Sequence, residues 1–260
     1  MKKNQKNIIL ILTLVVIMLS FGVTVQAESK LKVNRMEVEL KPEYDSSDMF
    51  TIYDTYLKNT STEVYSGTVK FLVPKGAKIE NVCEITGAGN HNCQLYDVKL
   101  KGDQKLITWE IGQLQPGEEY HAYLEYYYNP LEITGNSRVI NFDYETTYNI
   151  KNFNFKVTEP LNASNYSANL NEARVQTDGY GLKNHFYQLV NLNEGENVNI
   201  TVKYDRSNTG PSITRTNNQN TDAVASQQPV SNESNSNNSM LLILAIIIIG
   251  IMGYFIYNMI

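Results

Sequence analysis

The chain has 260 residues, with 22 Lys and Arg against 27 Asp and Glu, a formal net charge of −5. That balance argues against a protein that holds nucleic acid or bare phosphate by charge. Two cysteines and three histidines leave little material for metal or nucleophilic chemistry, and 18 tyrosines against one tryptophan make tyrosine the unusual count.

Residues 1–27 begin with Lys2, Lys3 and Lys6, continue through an apolar run from Ile8 to Phe21, and reach small residues at Val25 and Ala27. A basic start, an apolar stretch and a small-residue site are the layout of a secretory signal peptide, so cleavage is expected after Ala27. The body that follows is then expected outside the cytoplasm.

From Glu28 to Arg206 there are 18 Lys and Arg against 25 Asp and Glu, a net −7. Apolar and polar residues alternate through this span. "RMEVELK" sets Met36, Val38 and Leu40 on one face against Arg35, Glu37, Glu39 and Lys41, and "GTVKFLVP" repeats the pattern with Val69, Phe71 and Val73. A period of two, broken by Gly, Pro and Asn turns, predicts antiparallel strands stacked as sandwiches. Trp109, the single tryptophan, is expected to fill the first of them. The turn "EYDSSD" (Glu43 to Asp48) lacks the ligand spacing and glycine of a calcium loop and reads as a polar turn.

The two cysteines frame "CEITGAGNHNC". A three-residue turn Gly87-Ala88-Gly89 makes this a hairpin that pairs Thr86 with Asn90, Ile85 with His91, Glu84 with Asn92 and Cys83 with Cys93. Directly opposed cysteines suit a disulfide in an exported chain. The same register sets His91 on the face of both sulfurs, so Cys83, His91 and Cys93 also form a candidate set for a soft ion such as Cu(I), or for Zn with a fourth ligand. Farther on, "EYHAYLEYYY" sets Tyr120, Ala122, Leu124, Tyr126 and Tyr128 toward a core, leaving His121, Tyr123 and Tyr127 on the reverse face as a candidate ligand-binding strip.

"VINFDYE", "NFKV" and "VNITVKY" continue the alternation. "LNEGENVNITVKY" from Leu192 echoes "LQPGEEYHAYLEY" from Leu114, both reading L-x-x-G-E before an alternating strand. The echo divides the span into two β modules, 28–130 and 136–206, with the break at "NPLEITGNS".

The stretch "NTSTEVYSGTVKFLVPKGAKIENV" together with "KLITWEIGQLQPGEEYHAYLEY" resembles the conserved Ig-like repeat of bacterial surface proteins. Asn59, Pro74, Gly76, Trp109, Ile111, Leu114, Pro116 and Gly117 carry the resemblance, which covers roughly Tyr53 to Tyr126. These are turn and core positions, so the resemblance implies an Ig-like sandwich and no activity. The cysteine pair is not part of its pattern.

No HExxH, GxSxG, phosphate loop or nucleotide fingerprint occurs, so a non-enzymatic protein without a cofactor is expected. Residues 207–239, rich in Ser, Asn, Gln and Thr, cannot bury enough apolar surface to order themselves and read as a disordered linker. Met240 to Tyr257 is an uncharged run whose helix would span about 27 Å, enough to cross a hydrocarbon core. The expected whole is all-β: two antiparallel Ig-like β-sandwich modules, a disordered stalk and a single C-terminal transmembrane helix. Its ectodomain lies outside the cell and its C-terminus in the cytoplasm. It meets the membrane through the helix and protein or glycan partners outside.

Overall fold

The structure, a computed structural model, describes residues 30–214. The expected signal peptide, the expected membrane helix and all of the expected linker beyond residue 214 lie outside the described residues. Within them no helix is long and apolar enough to cross a membrane. Every regular element described is a strand, so the chain is all-β.

The alternation read from the sequence is the alternation of burial. In β1 (Leu31–Lys41), Met36, Val38 and Leu40 are buried while Glu37 and Glu39 stand on the other face. In β8 (Glu119–Tyr128), Tyr120, Ala122, Leu124 and Tyr126 turn inward and His121, Tyr123, Glu125 and Tyr127 outward. β-Branched and aromatic side chains at every second position fill one side of a pleated surface, which a helix of period 3.6 would scatter.

β1, β2 (Met49–Asn59), β8 and β4 (Lys78–Ile85) pair in that order, with the three-residue β5 (His91–Cys93) on the outer edge of β4. β3 (Tyr65–Pro74), β7 (Gln104–Leu114) and β6 (Asp97–Lys101) form a separate sheet. The rest of the chain repeats this wiring. β9 (Leu131–Thr134), β10 (Ser137–Glu145), β15 (Asn197–Asp205) and β12 (Ser164–Ala168) pair as β1, β2, β8 and β4 do; β11 (Ile150–Thr158), β14 (Lys183–Leu192) and β13 (Glu172–Thr177) pair as β3, β7 and β6 do. Among the described strands only β5 has no counterpart.

The two sets are spliced. β1 pairs antiparallel with β2 and parallel with β11, so one eight-stranded sheet runs β13-β14-β11-β1-β2-β8-β4-β5 and draws strands from both sets. The sequence predicts antiparallel strands throughout, and this parallel pair departs from it. A parallel pair needs a long connection, which the whole first set supplies.

The echoed turns occupy equivalent places. At the first, Glu118 N–H donates to Gln115 O (3.0 Å), the Glu118 carboxylate accepts from Gln115 N–H (2.7 Å), and Gly117 N–H donates to Asn59 O (2.8 Å). At the second, Glu196, Asn193, Gly195 and Thr146 make the same three bonds at 3.1, 2.9 and 2.9 Å. Gly117 and Gly195 have φ of 80° and 82°, a region L-residues enter at a cost, which is why glycine precedes the glutamate in both.

One core runs under the eight-stranded sheet and packs against both smaller sheets. Tyr53 meets Tyr126 and Tyr144 edge-on at 5.4 and 5.5 Å, and Phe71 stacks on Trp109 at 5.6 Å. Trp109 is buried as expected, its indole N–H donating to the Tyr120 phenol oxygen at 3.0 Å. Each such side chain stabilises the fold by about 1.5–3 kcal/mol through the area it removes from water. Where β15 ends, the buried Glu43 carboxylate accepts from Tyr204 O–H (2.8 Å) and faces Arg206 at 3.0 Å and Arg138 at 3.7 Å. Ser212 and Ile213 N–H then bond to Glu43 and Tyr44 carbonyls, both at 2.8 Å, tying the departing chain to the β1–β2 turn.

Candidate functional site: the open face of the long sheet

The smaller sheets cover one face of the eight-stranded sheet. The other carries the histidines, tyrosines and sulfurs that the sequence singles out.

At its β5 edge, Cys83 and Cys93 are joined in a disulfide, and no cysteine is free. The register is Cys83 with Cys93, Glu84 with Asn92 and Ile85 with His91, and Thr86 N–H donates to Asn90 O at 3.0 Å. Each sulfur is bonded to the other, so in this state Cys83 and Cys93 present no thiolates beside His91. His91 is exposed and presents its ring edge-to-face to Tyr123 at 4.8 Å.

Cross-strand register brings the aromatic strip of β8 against β2 and β1. Tyr56 pairs with His121 on one side and Arg35 on the other, building a stack: the His121 ring lies 4.0 Å from Tyr56 and the Arg35 guanidinium 4.2 Å. His121 Nε2 contacts Asp54 at 2.9 Å. Tyr123 O–H donates to Glu125 at 2.6 Å and Tyr127 O–H to Asp45 at 2.8 Å, while Phe50 tilts against Tyr127 at 5.0 Å. Asp45 belongs to the "EYDSSD" turn, whose Asp48 lies 3.6 Å from Lys78. The structure thus gathers His121, Tyr123 and Tyr127 in one row, but spends their polar atoms and much of their ring surface on neighbours.

The carboxylates around the row are set apart by their partners. Burial pushes Glu39 up, but Lys41 and Lys156, at 2.9 and 3.0 Å, outweigh it and hold the carboxyl below its ordinary value. Glu37, two residues earlier, is pushed up by burial and by Glu39, with Lys156 only as near as 4.0 Å. Burial raises the Tyr123 phenol, and the hydrogen bond to Glu125 and the charges of Glu125, Glu39 and Asp54 add to the rise.

A recess of about 240 Å³ opens on this same face where β1, β11, β14 and β13 meet, lined by Glu37, Asn154, Arg174, Phe186 and Gln188 among others. No sequence signal pointed to it. Glu37 was visible only as one polar position of "RMEVELK", and its companions lie more than a hundred residues away; the pairing register alone assembles them.

No protein-family model matches the sequence, and no curated protein matches it. Among solved structures the chain is similar to an M1 zinc metallopeptidase from Deinococcus radiodurans, at 13% identity and a TM-score of 0.42, covering 68% of this chain and 43% of that one. It is also similar to a two-domain M1 zinc metallopeptidase mutant bound to L-tryptophan (12%, 0.43, covering 68% and 43%). A mutant of the Deinococcus radiodurans enzyme bound to a Tyr-Ser-Ala substrate gives 14% and 0.42, covering 68% and 42%. The chain spans less than half the length of these proteins, and identities and scores this low carry no function across.

Proposed function

We propose that this chain is the extracytoplasmic part of a single-pass, membrane-anchored, non-enzymatic protein that presents the open face of its long sheet to protein or cell-envelope partners. In this reading the signal peptide exports the chain, two Ig-like modules form the body, and residues 207–239 tether it to a helix over 240–257. The C-terminus ends in the cytoplasm. The observation that carries the reading is the open face itself. It is continuous across both strand sets, is covered by no further layer among the described residues, and is built from half-buried aromatic and charged side chains in fixed pairs. A face fixed in this way is preorganised for binding, because little side-chain freedom remains to be lost.

The test is protease treatment of intact cells expressing the full chain with a C-terminal tag. Release of a fragment holding residues 28–206, with the tag protected, is the expected result. Protection of the whole chain in intact cells, or release of the tag, sinks the topology. Retention of the released fragment on isolated envelopes, lost when Tyr123 and Tyr127 are replaced by Ala, would locate binding in the aromatic row.

A further inference from the structure

We infer that the recess at the seam between the two strand sets, lined by Glu37, Asn154, Gln188, Arg174 and Phe186, binds a single neutral sugar ring through its vicinal hydroxyls. The inference rests on the reading of the open face as a binding surface and assigns it a ligand class and a place.

Its geometry follows from the splice. Gln188, Asn154 and Glu37 are consecutive cross-strand partners, forming one row over β14, β11 and β1. Arg174 and Phe186 pair across β13 and β14. A register shift between Glu172 and Arg174 leaves Ala173 unpaired, and such a bulge bends an edge strand and re-aims its side chains. Here the Arg174 guanidinium lies over the Phe186 ring at 4.0 Å, with its N–H edge left for other partners. Without the parallel pairing of β1 with β11, Glu37 would not reach this row at all.

Hydrogen-bonding capacity separates this recess from the rest of the face. His121, Tyr123, Tyr127, Asn81 and Glu39 all spend their polar atoms on neighbours. Among the described residues Asn154 and Gln188 make no side-chain hydrogen bond, Arg174 makes no ion pair, and the nearest cation to Glu37 is Lys156 at 4.0 Å. Two carboxamides therefore line the row with donors and acceptors unspent, between a guanidinium at one end and, at the other, a carboxylate whose cation is Lys156 at 4.0 Å. A sugar hydroxyl donates and accepts at once, so vicinal pairs match carboxamides, a carboxylate and a guanidinium alike. Arg174 and Lys156 against Glu37 and Glu39 leave no net charge to select an ion. Arg174 and Glu37 stand on strands three steps apart, about 14 Å between backbones, so they mark the two ends of the row, and the carboxamides of Gln188 and Asn154 between them are the partners within reach of one ring. About 240 Å³ is below the ~300–1,000 Å³ of sites for larger ligands, which limits the occupant to a single ring.

The experiment uses the full chain in a detergent without a sugar headgroup. Methyl glucoside, galactose and N-acetylglucosamine are titrated by saturation-transfer NMR, with L-alanine as the zwitterionic probe. At least one sugar is expected to bind with a dissociation constant on the order of 1 mM. The Asn154→Ala/Gln188→Ala double variant should weaken it at least tenfold, and Leu100→Ala, at an exposed position on the separate sheet of β6, should leave it within twofold. Both variants change exposed or half-buried positions, and an intact disulfide with unchanged near-UV dichroism shows that they fold. Sugar binding lost in Tyr123→Ala but kept in the double variant overturns the seam site while leaving the binding surface in place. Alanine displacing the sugar overturns the ligand class. Absence of all sugar binding, in protein that still adheres to isolated envelopes, overturns this inference and spares the broader reading.

Discussion

The two strand sets share their wiring but close their outer edges by different chemistry. In the first set the edge strand β5 is exposed at all three residues, and the Cys83–Cys93 disulfide ties it to β4. In the second set β13 is exposed at all six residues, and a buried histidine ties it in. His185 Nδ1 contacts Glu172 of β13 at 2.5 Å, Nε2 contacts Glu159 at 3.1 Å, and the Tyr166 ring of β12 stacks on the imidazole at 3.7 Å. Tyr166 and Tyr187 then join hydroxyls at 3.0 Å. Neither edge strand buries apolar surface of its own, so each needs a tie that hydrophobic packing does not supply. One set uses a covalent bond, the other a polar knot.

The sharpest way to break this comparison is to cut both ties. The His185 ring presents one nitrogen to each of two carboxylates. His185→Ala removes it and leaves Glu159, itself buried, with only Lys183 at 3.3 Å. Stranding a buried carboxylate costs about 3–5 kcal/mol, and with Lys183 still present the low end is expected. Urea unfolding followed by hydrogen exchange should show the loss concentrated in β12–β14. Uniform loss across both sets would mean that the knot does not act locally. Cutting the other tie with Cys83→Ser/Cys93→Ser should cost about 2.5–3 kcal/mol in the chain-entropy view, with exchange rising first in β5. A reductant should reproduce that loss in the wild type and leave β13 unaffected.

How far each edge could be foreseen differs for the same physical reason. The hairpin was legible because "CEITGAGNHNC" carries its own turn and register within eleven residues. β8 and Trp109 were legible because burial writes a period of two into the sequence. "EARVQT" buries nothing and therefore writes no period, so β13 left no trace, and with it went the role of His185. The parallel pairing of β1 with β11 was equally silent. Met36 and Phe153 lie side by side and both are apolar, but no local pattern says which apolar strand neighbours which. The seam recess inherits that silence.

The echoed turns sharpen the comparison from the side of likeness. A Cβ at Gly117 or at Gly195 would meet nothing within 4 Å, so replacing either by Ala costs only backbone strain. With φ near 80° at both, Gly117→Ala and Gly195→Ala should each cost about 1–2 kcal/mol, less a few tenths returned by a stiffer unfolded chain. Thermal unfolding of the two variants should agree closely. A large inequality would show that the sets, though wired alike, do not bear equally on stability.

The smallest expected effect tests the seam where the sets meet. Glu39 of β1 is held below its ordinary value by Lys41 and by Lys156 of β11, so its carboxylate adds stability above the usual carboxylate range. That contribution is lost as pH falls through its depressed folded value. Glu37 runs the other way. Its raised carboxyl costs stability once ionised and gives that back on acidification, so the two neighbours partly cancel. Lys156→Met weakens the hold on Glu39 and takes from Glu37 its only nearby cation on β11. The variant should be less stable than wild type by about 1 kcal/mol at neutral pH. The gap should close as pH drops below the carboxylate range, because protonated carboxyls no longer distinguish the two proteins. A gap that persisted unchanged at low pH would mean that Lys156 serves the seam through the packing of its stem along β11, and that charge does not join the two sets.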